Sequence, residues 1–147
     1  MTTPPPDPII AINQQIISEF HQNNRRVGGD FEGSPMLILH TIGAKSGSAR
    51  VTPLMCWPED GRYLIIASDR GRDSSPAWCH NLAAHPDTQI EVGSDDGVIT
   101  VDVTATVMPE PERSIFYGEH AARYPGFARH QENTTRVIPV VALDPRR

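Results

Sequence analysis

A chain of 147 residues supplies one hydrophobic core and little beyond it. Its 38% hydrophobic and 21% charged residues are ordinary for a globular protein, and a net charge of −5 argues against a general nucleic-acid surface, which needs a basic excess. Two cysteines at no metal-ligand spacing, the lack of a basic-then-apolar start, and no apolar run near the roughly 20 residues of a bilayer span read as a cytoplasmic chain with free thiols and no metal.

In chain order, "MTTPPPDP" is a proline-rich leader over residues 1–8. Ile9, Ile12, Ile16, Ile17 and Phe20 then fall at helical spacing, with Asp7 as N-cap and Pro8 in the first turn, so residues 9–26 hold an amphipathic helix. Its polar face carries Asn13, Gln14, Glu19 and Gln22 and gains cations only at Arg25 and Arg26, which favours packing on the protein over lying on an anionic membrane. "MLILH" is a strand buried on both faces, and "RVTPLMCW" and "RYLIIAS" are two more, joined at the turn "PEDG". "SSPAWCHNLAAHP" is a short helix capped by its serines. "TQIEVG" and "VITVDVTATV" alternate and meet at "SDDG", a second hairpin. "PEPERSIFYGEHAARYPGF" is helical and breaks before Pro125. "RVIPVVAL" closes the chain as a strand whose internal Pro139 predicts an edge or a bulge. Around six mostly antiparallel strands with flanking helices predict a mainly β, α+β fold, a small barrel occupying residues 35–145.

One segment looks built for an anion. "TIGAKSGSAR" puts two glycines, two serines and two cations within ten positions. Glycines let backbone amides converge on an oxyanion, Ser46 and Ser48 can donate hydroxyl bonds, Lys45 adds a point charge and Arg50 a planar fork. It is not a P-loop, because the lysine precedes the second glycine and a strand follows. A solvated hairpin turn explains the same composition, and both readings stay open. Ser68 ends a strand at the mouth of a polar loop, where barrels bind ligands. Trp78 and Asn81 share one face of the short helix; the plainer alternatives are a core tryptophan, a bracing asparagine and, at His80, a structural histidine.

"TIGAKSGSARVTPL", "IIASDRG", "PAWCHNLAAHPDTQIEVG" and "YPGFARHQENTTRVIPVVAL" occur in the order typical of the deazaflavin-dependent nitroreductase family, which the chain resembles from about Pro35 to Pro145. The resemblance implies an FMN-binding-like split β-barrel of actinobacterial type that uses coenzyme F420. It implies that the G-x-K-S-G-x-x-R pattern, here Lys45, Ser46, Gly47 and Arg50, grips the coenzyme's anionic tail, that Ser68 lies near the reactive ring, and that Trp78 and Asn81 help to hold the coenzyme. Hydride would pass from the reduced coenzyme to a quinone, an activated alkene or a nitro compound.

Where the family's nitro-reducing members carry tyrosines, this chain has Met55, Phe127 and His130, which makes these three the expected acceptor pocket and His130, with Ser68, the expected catalytic pair. A loop lysine of the family is replaced by Asp69, with Arg70 and Arg72 as substitutes. Superfamily barrels often dimerise, so a homodimer is expected, and some relatives that reduce lipid-soluble quinones raise peripheral membrane contact through the N-terminal helix. The competing readings are a non-catalytic carrier of a cofactor or fatty acid, and an FMN-dependent oxidoreductase on the same barrel.

Overall fold

The computed structural model describes residues 8–24, 26–28, 35–68 and 75–146; the Asp7 cap, Arg25 and the loop residues Asp69, Arg70 and Arg72 lie outside them. The elements run α1 (Pro8–Gln22), β1 (Met36–Ile42), β2 (Ala49–Met55), β3 (Trp57–Glu59), β4 (Arg62–Ile66), α2 (Ala77–Ala84), β5 (Asp87–Ser94), β6 (Gly97–Val107), α3 (Glu112–Arg123), α4 (Pro125–Glu132) and β7 (Val140–Pro145). All seven strands form one antiparallel sheet in the order β2-β1-β5-β6-β7-β4-β3.

That order dictates the shape. The two edge strands, β2 and β3, are consecutive in the chain and separated by Cys56 alone. Two peptide links span at most about 7 Å, so the sheet must curl until its edges nearly meet. The result is a split barrel with helices outside and at one end. The expected "RVTPLMCW" strand is therefore two strands, because at Cys56 the chain crosses from one edge of the sheet to the other, and the count rises from about six to seven. The sharp return from β3 to β4 is made by Asp60 and Gly61, at φ of 53° and 78°, the pair of positive values that a type I′ hairpin requires.

Alternation along each strand sorts side chains to two faces. Leu37, Leu39, Ile65, Ile90, Val103, Val141 and Leu143 fill the interior, closed by Trp78 and Leu82 of α2. Met36 and Ile38 face outward beneath Ile16 and Phe20 of α1, so β1 is buried on both sides as expected. The apolar face of α1 thus lies on the barrel, although Ile12 is exposed. Glu91 adds a polar tie, its two carboxylate oxygens meeting His21 Nε2 of α1 at 2.8 Å and His40 Nε2 of β1 at 2.7 Å. Leu64, Ile66, Val140 and Ala142 pack outward under Tyr117 of α3. Among the described residues no helix is long and apolar enough to cross a membrane.

Three further expectations are corrected. Pro139 does not mark an edge strand: β7 lies between β6 and β4 and begins one residue later, so the missing N–H of Pro139 falls outside the strand. The short helix is capped by Pro76 with no side-chain bond, rather than by a serine. The helical stretch after the Pro125 break continues to Glu132, which places His130 on α4.

Candidate active site

β1 ends at Ile42 and the chain turns through 43–48 into β2. Gly43 donates its amide to the Ser48 carbonyl at 2.8 Å and accepts from the Gly47 amide at 2.9 Å, closing the loop on itself. Gly47 sits at φ +70°, and a methyl group at Gly43 would overlap Ser46 Oγ. Ser46 Oγ accepts from the Ser48 amide at 3.2 Å. Among the described residues the Lys45 and Ser46 amides form no hydrogen bond, so two donors sit beside Lys45 in an exposed bend. Successive unbonded amides in a turn are groups to which an anion can bind.

α2 lies across this bend. A cavity of about 630 Å³ separates them, lined by Gly43 to Ser46, Ala49 to Thr52, and Ala77, Trp78, His80 and Asn81. Its described wall therefore contains Lys45, Arg50 and the ionisable His80 but no carboxylate, in a protein of net charge −5. Asn81 is 8% exposed and joins the two sides. Its Oδ1 accepts from the Ala44 amide at 2.9 Å, and its Nδ2 donates to Thr41 Oγ1 at 3.3 Å. Trp78 belongs to the barrel core, as its plainer reading expected, and also lines the cavity.

Lys45, Ser46, Arg50, Trp78 and Asn81 are thus brought together, with Gly47 in the bend behind them. Ser68 stands two residues beyond β4 and is not part of that wall; its carbonyl accepts from Arg136 Nη2 at 3.0 Å. Met55 packs with the α1 cluster. Phe127 packs outside β4 and β7, its ring 5.7 Å from Trp57 and 5.5 Å from His130. The expected acceptor residues therefore occupy two different outer clusters rather than the cavity wall.

Sequence reasoning missed His80 as a lining residue and missed Arg136 altogether. Arg136 carried no signal, because two of its acceptors are backbone carbonyls, which no residue type announces, and Ser75 lies 61 residues away in the chain. Both cysteines are held toward the protonated thiol. Burial pushes the Cys56 thiol up to about 12, and burial likewise raises Cys79 against the opposing effects of Ser75 and Arg136. A second cavity, of about 850 Å³, opens at the other end of β1 between Val27, Met36, Cys56 and Tyr63.

The curled antiparallel sheet defines a split barrel, and comparison with known proteins specifies its family. Residues 14–145 match the family model of F420H(2)-dependent quinone reductases, and the chain belongs to that family of oxidoreductases. It is similar to the F420H(2)-dependent quinone reductase Rv1261c of Mycobacterium tuberculosis, 38% identical over 130 residues that span 86% of this chain and 85% of the relative. Among solved structures, an F420-H2 dependent reductase (FDR-A) superposes with a TM-score of 0.63 at 35% identity, covering 75% of this chain and 94% of its own. A structure described as a domain-swapped dimer superposes at 0.65 with 31% identity, covering 94% and 100%.

Proposed function

We propose that the cavity between α2 and the 43–52 hairpin seats the anionic tail of coenzyme F420, and that the protein directs hydride from the reduced coenzyme to a quinone or another electron-poor acceptor such as an activated alkene or nitro compound. The observation that carries this reading is a wall with Lys45 and Arg50, two available amides and no described carboxylate. The group is a phosphodiester and glutamate polyanion at one end, and the residues present fit it.

When bound, the coenzyme supplies the hydride at its central ring carbon, so the chain need provide neither nucleophile nor metal. Lys45 and Arg50 neutralise the tail, Arg50 as a planar fork and Lys45 as a point charge. Ser46 and the loop amides complete its hydrogen bonding. Trp78 offers an aromatic edge, and Asn81 fixes the loop against α2. The Ser68 hydroxyl orients the ring end, and His130 is the proton donor to the reduced acceptor in this reading. The free cysteines suit a reducing cytoplasm, and the similar domain-swapped structure makes a homodimer part of the proposal.

The test is a coenzyme titration by tryptophan fluorescence, followed by oxidation of the reduced coenzyme with quinones, enones and nitroaromatics. The wild-type protein is expected to bind and to turn over. Lys45→Ala with Arg50→Ala loses two charge-assisted contacts of roughly 1.5–3 kcal/mol each and should weaken binding at least about a hundredfold. Equal affinity in the double variant removes the loop from the site. Binding without oxidation by any acceptor favours the carrier instead.

A further inference from the structure

We propose that Arg136 is a positioning residue for hydride transfer, holding the Ser68 end of the site in register with α2. The inference rests on the coenzyme site described under Proposed function.

Arg136 lies in the connection between α4 and β7, yet its side chain reaches back to β4. Nη2 donates to the Ala67 and Ser68 carbonyls at 3.0 Å each, and Nη1 donates to Ser75 Oγ at 3.4 Å. Ala67 and Ser68 follow β4, and Ser75 immediately precedes the Pro76 cap of α2. One guanidinium therefore grips the chain on both sides of residues 69–74. The planar fork reaches these acceptors from two separate nitrogens held in fixed geometry, whereas a lysine carries its donors on a single atom.

The fork is itself held from behind. Gln131 Nε2 of α4 donates to the Arg136 carbonyl at 2.7 Å. Gln131 Oε1 accepts from Arg113 Nη2 of α3 at 2.9 Å and from the Ile138 amide at 3.2 Å. Arg113 Nε donates to the Ile138 carbonyl at 2.8 Å. The path runs from α3 through α4 and Arg136 to the end of β4 and the start of α2. α2 carries Trp78 and Asn81, and Asn81 holds Ala44 of the cationic loop. Arg136 thus sets Ser68 against the helix that lines the tail cavity, while Lys45 and Arg50 hold the tail without its help. Losing the fork leaves the tail bound and tilts the reactive end, and a misplacement of about 1 Å can cost on the order of a hundredfold in rate.

Arg136→Lys and Arg136→Gln test this, the lysine being the milder variant should glutamine impair folding. Coenzyme affinity is measured by tryptophan fluorescence, and hydride transfer by single-turnover oxidation of the bound reduced coenzyme with a soluble naphthoquinone, well below each variant's Tm. The expected result is a rate lowered roughly ten- to a hundredfold with affinity changed less than about threefold, and with Lys retaining more rate than Gln. Wild-type rates in both folded variants would show a prop that serves stability alone and overturn the role. Affinity falling in step with rate would make Arg136 a binding contact and also overturn it. If the wild-type protein failed to bind the coenzyme at all, the site itself would fall and this role with it.

Discussion

Replacing Asn81 with aspartate separates the two things this residue does. The side chain is 8% exposed, accepting from the Ala44 amide at 2.9 Å and facing Thr41 Oγ1 at 3.3 Å. Aspartate has the same outline. One oxygen still accepts from Ala44, and the Thr41 hydroxyl can turn to donate to the other, so the bridge between loop and helix survives. What changes is one negative charge in a wall whose described side chains include Lys45 and Arg50 and no carboxylate. At about 6 Å from a bound anion, with an effective dielectric between about 20 and 80, that charge costs roughly 0.7–3 kcal/mol, or from about threefold to a hundredfold in affinity. Asn81→Ala behaves differently: it leaves the buried Thr41 hydroxyl and the Ala44 amide without their partner, at roughly 1–3 kcal/mol of stability. Thermal melts and coenzyme titrations at low and high salt distinguish the two variants. Asn81→Asp should melt closer to wild type than Asn81→Ala, and its binding defect should shrink as salt screens the charge. Wild-type affinity in Asn81→Asp would refute the claim that this cavity receives an anion.

His120 is 5% exposed, with its ring 4.1 Å from Trp57, and burial pushes its pKa down to about 4, helped by Arg123. Folding thus favours the neutral ring, so its contribution is complete above about pH 6.5 and is lost as pH falls toward 4; urea unfolding at pH 7 and pH 5 should show a loss on the order of 1 kcal/mol that His120→Phe removes. At Gly47, φ is +70° and the space around a Cβ is open, so Gly47→Ala should cost about 1 kcal/mol of backbone strain and Gly47→Asn less, read from denaturant midpoints. Glu91→Gln weakens the tie between α1 and the sheet, and hydrogen exchange should show α1 amides opening faster while those of β1 stay protected.

What could be read from the sequence is what local chemistry decides. "MLILH" is apolar throughout because β1 is covered on one side by the barrel interior and on the other by α1. "SDDG" turns where its composition says it should, with Gly97 at φ +108°. The break between β2 and β3 had no such signal. "PLMCW" continues without a polar or glycine interruption, since the chain stops pairing with β1 and starts pairing with β4 while its side chains keep alternating: Leu54 and Cys56 inward, Met55 and Trp57 outward. Closure of the sheet made that boundary, not the residues at it. Pro139 misled for a related reason. A proline has no N–H to donate at its own position, and here the fold meets that demand by starting a central strand one residue later, while the Pro139 carbonyl still accepts from the Ala67 amide at 2.9 Å.

The site divides along the same line. The residues from Gly43 to Arg50 were legible because eight consecutive positions hold the charges, the hydroxyls and the glycine torsion that an anion needs. α2 was legible as a helix but not as a positioned one. Eight residues are too few to hold a helix in water without tertiary support, and its cap makes no side-chain bond. Its placement comes from Trp78 and Leu82 in the barrel core, from Asn81 to Ala44, and from Arg136 to Ser75, a partner 61 residues away. The ties that seat this helix are also the ties that align the cavity. In the proposed site stability and function therefore share residues, and a variant at Asn81 or Arg136 must be judged by binding or rate as well as by melting temperature.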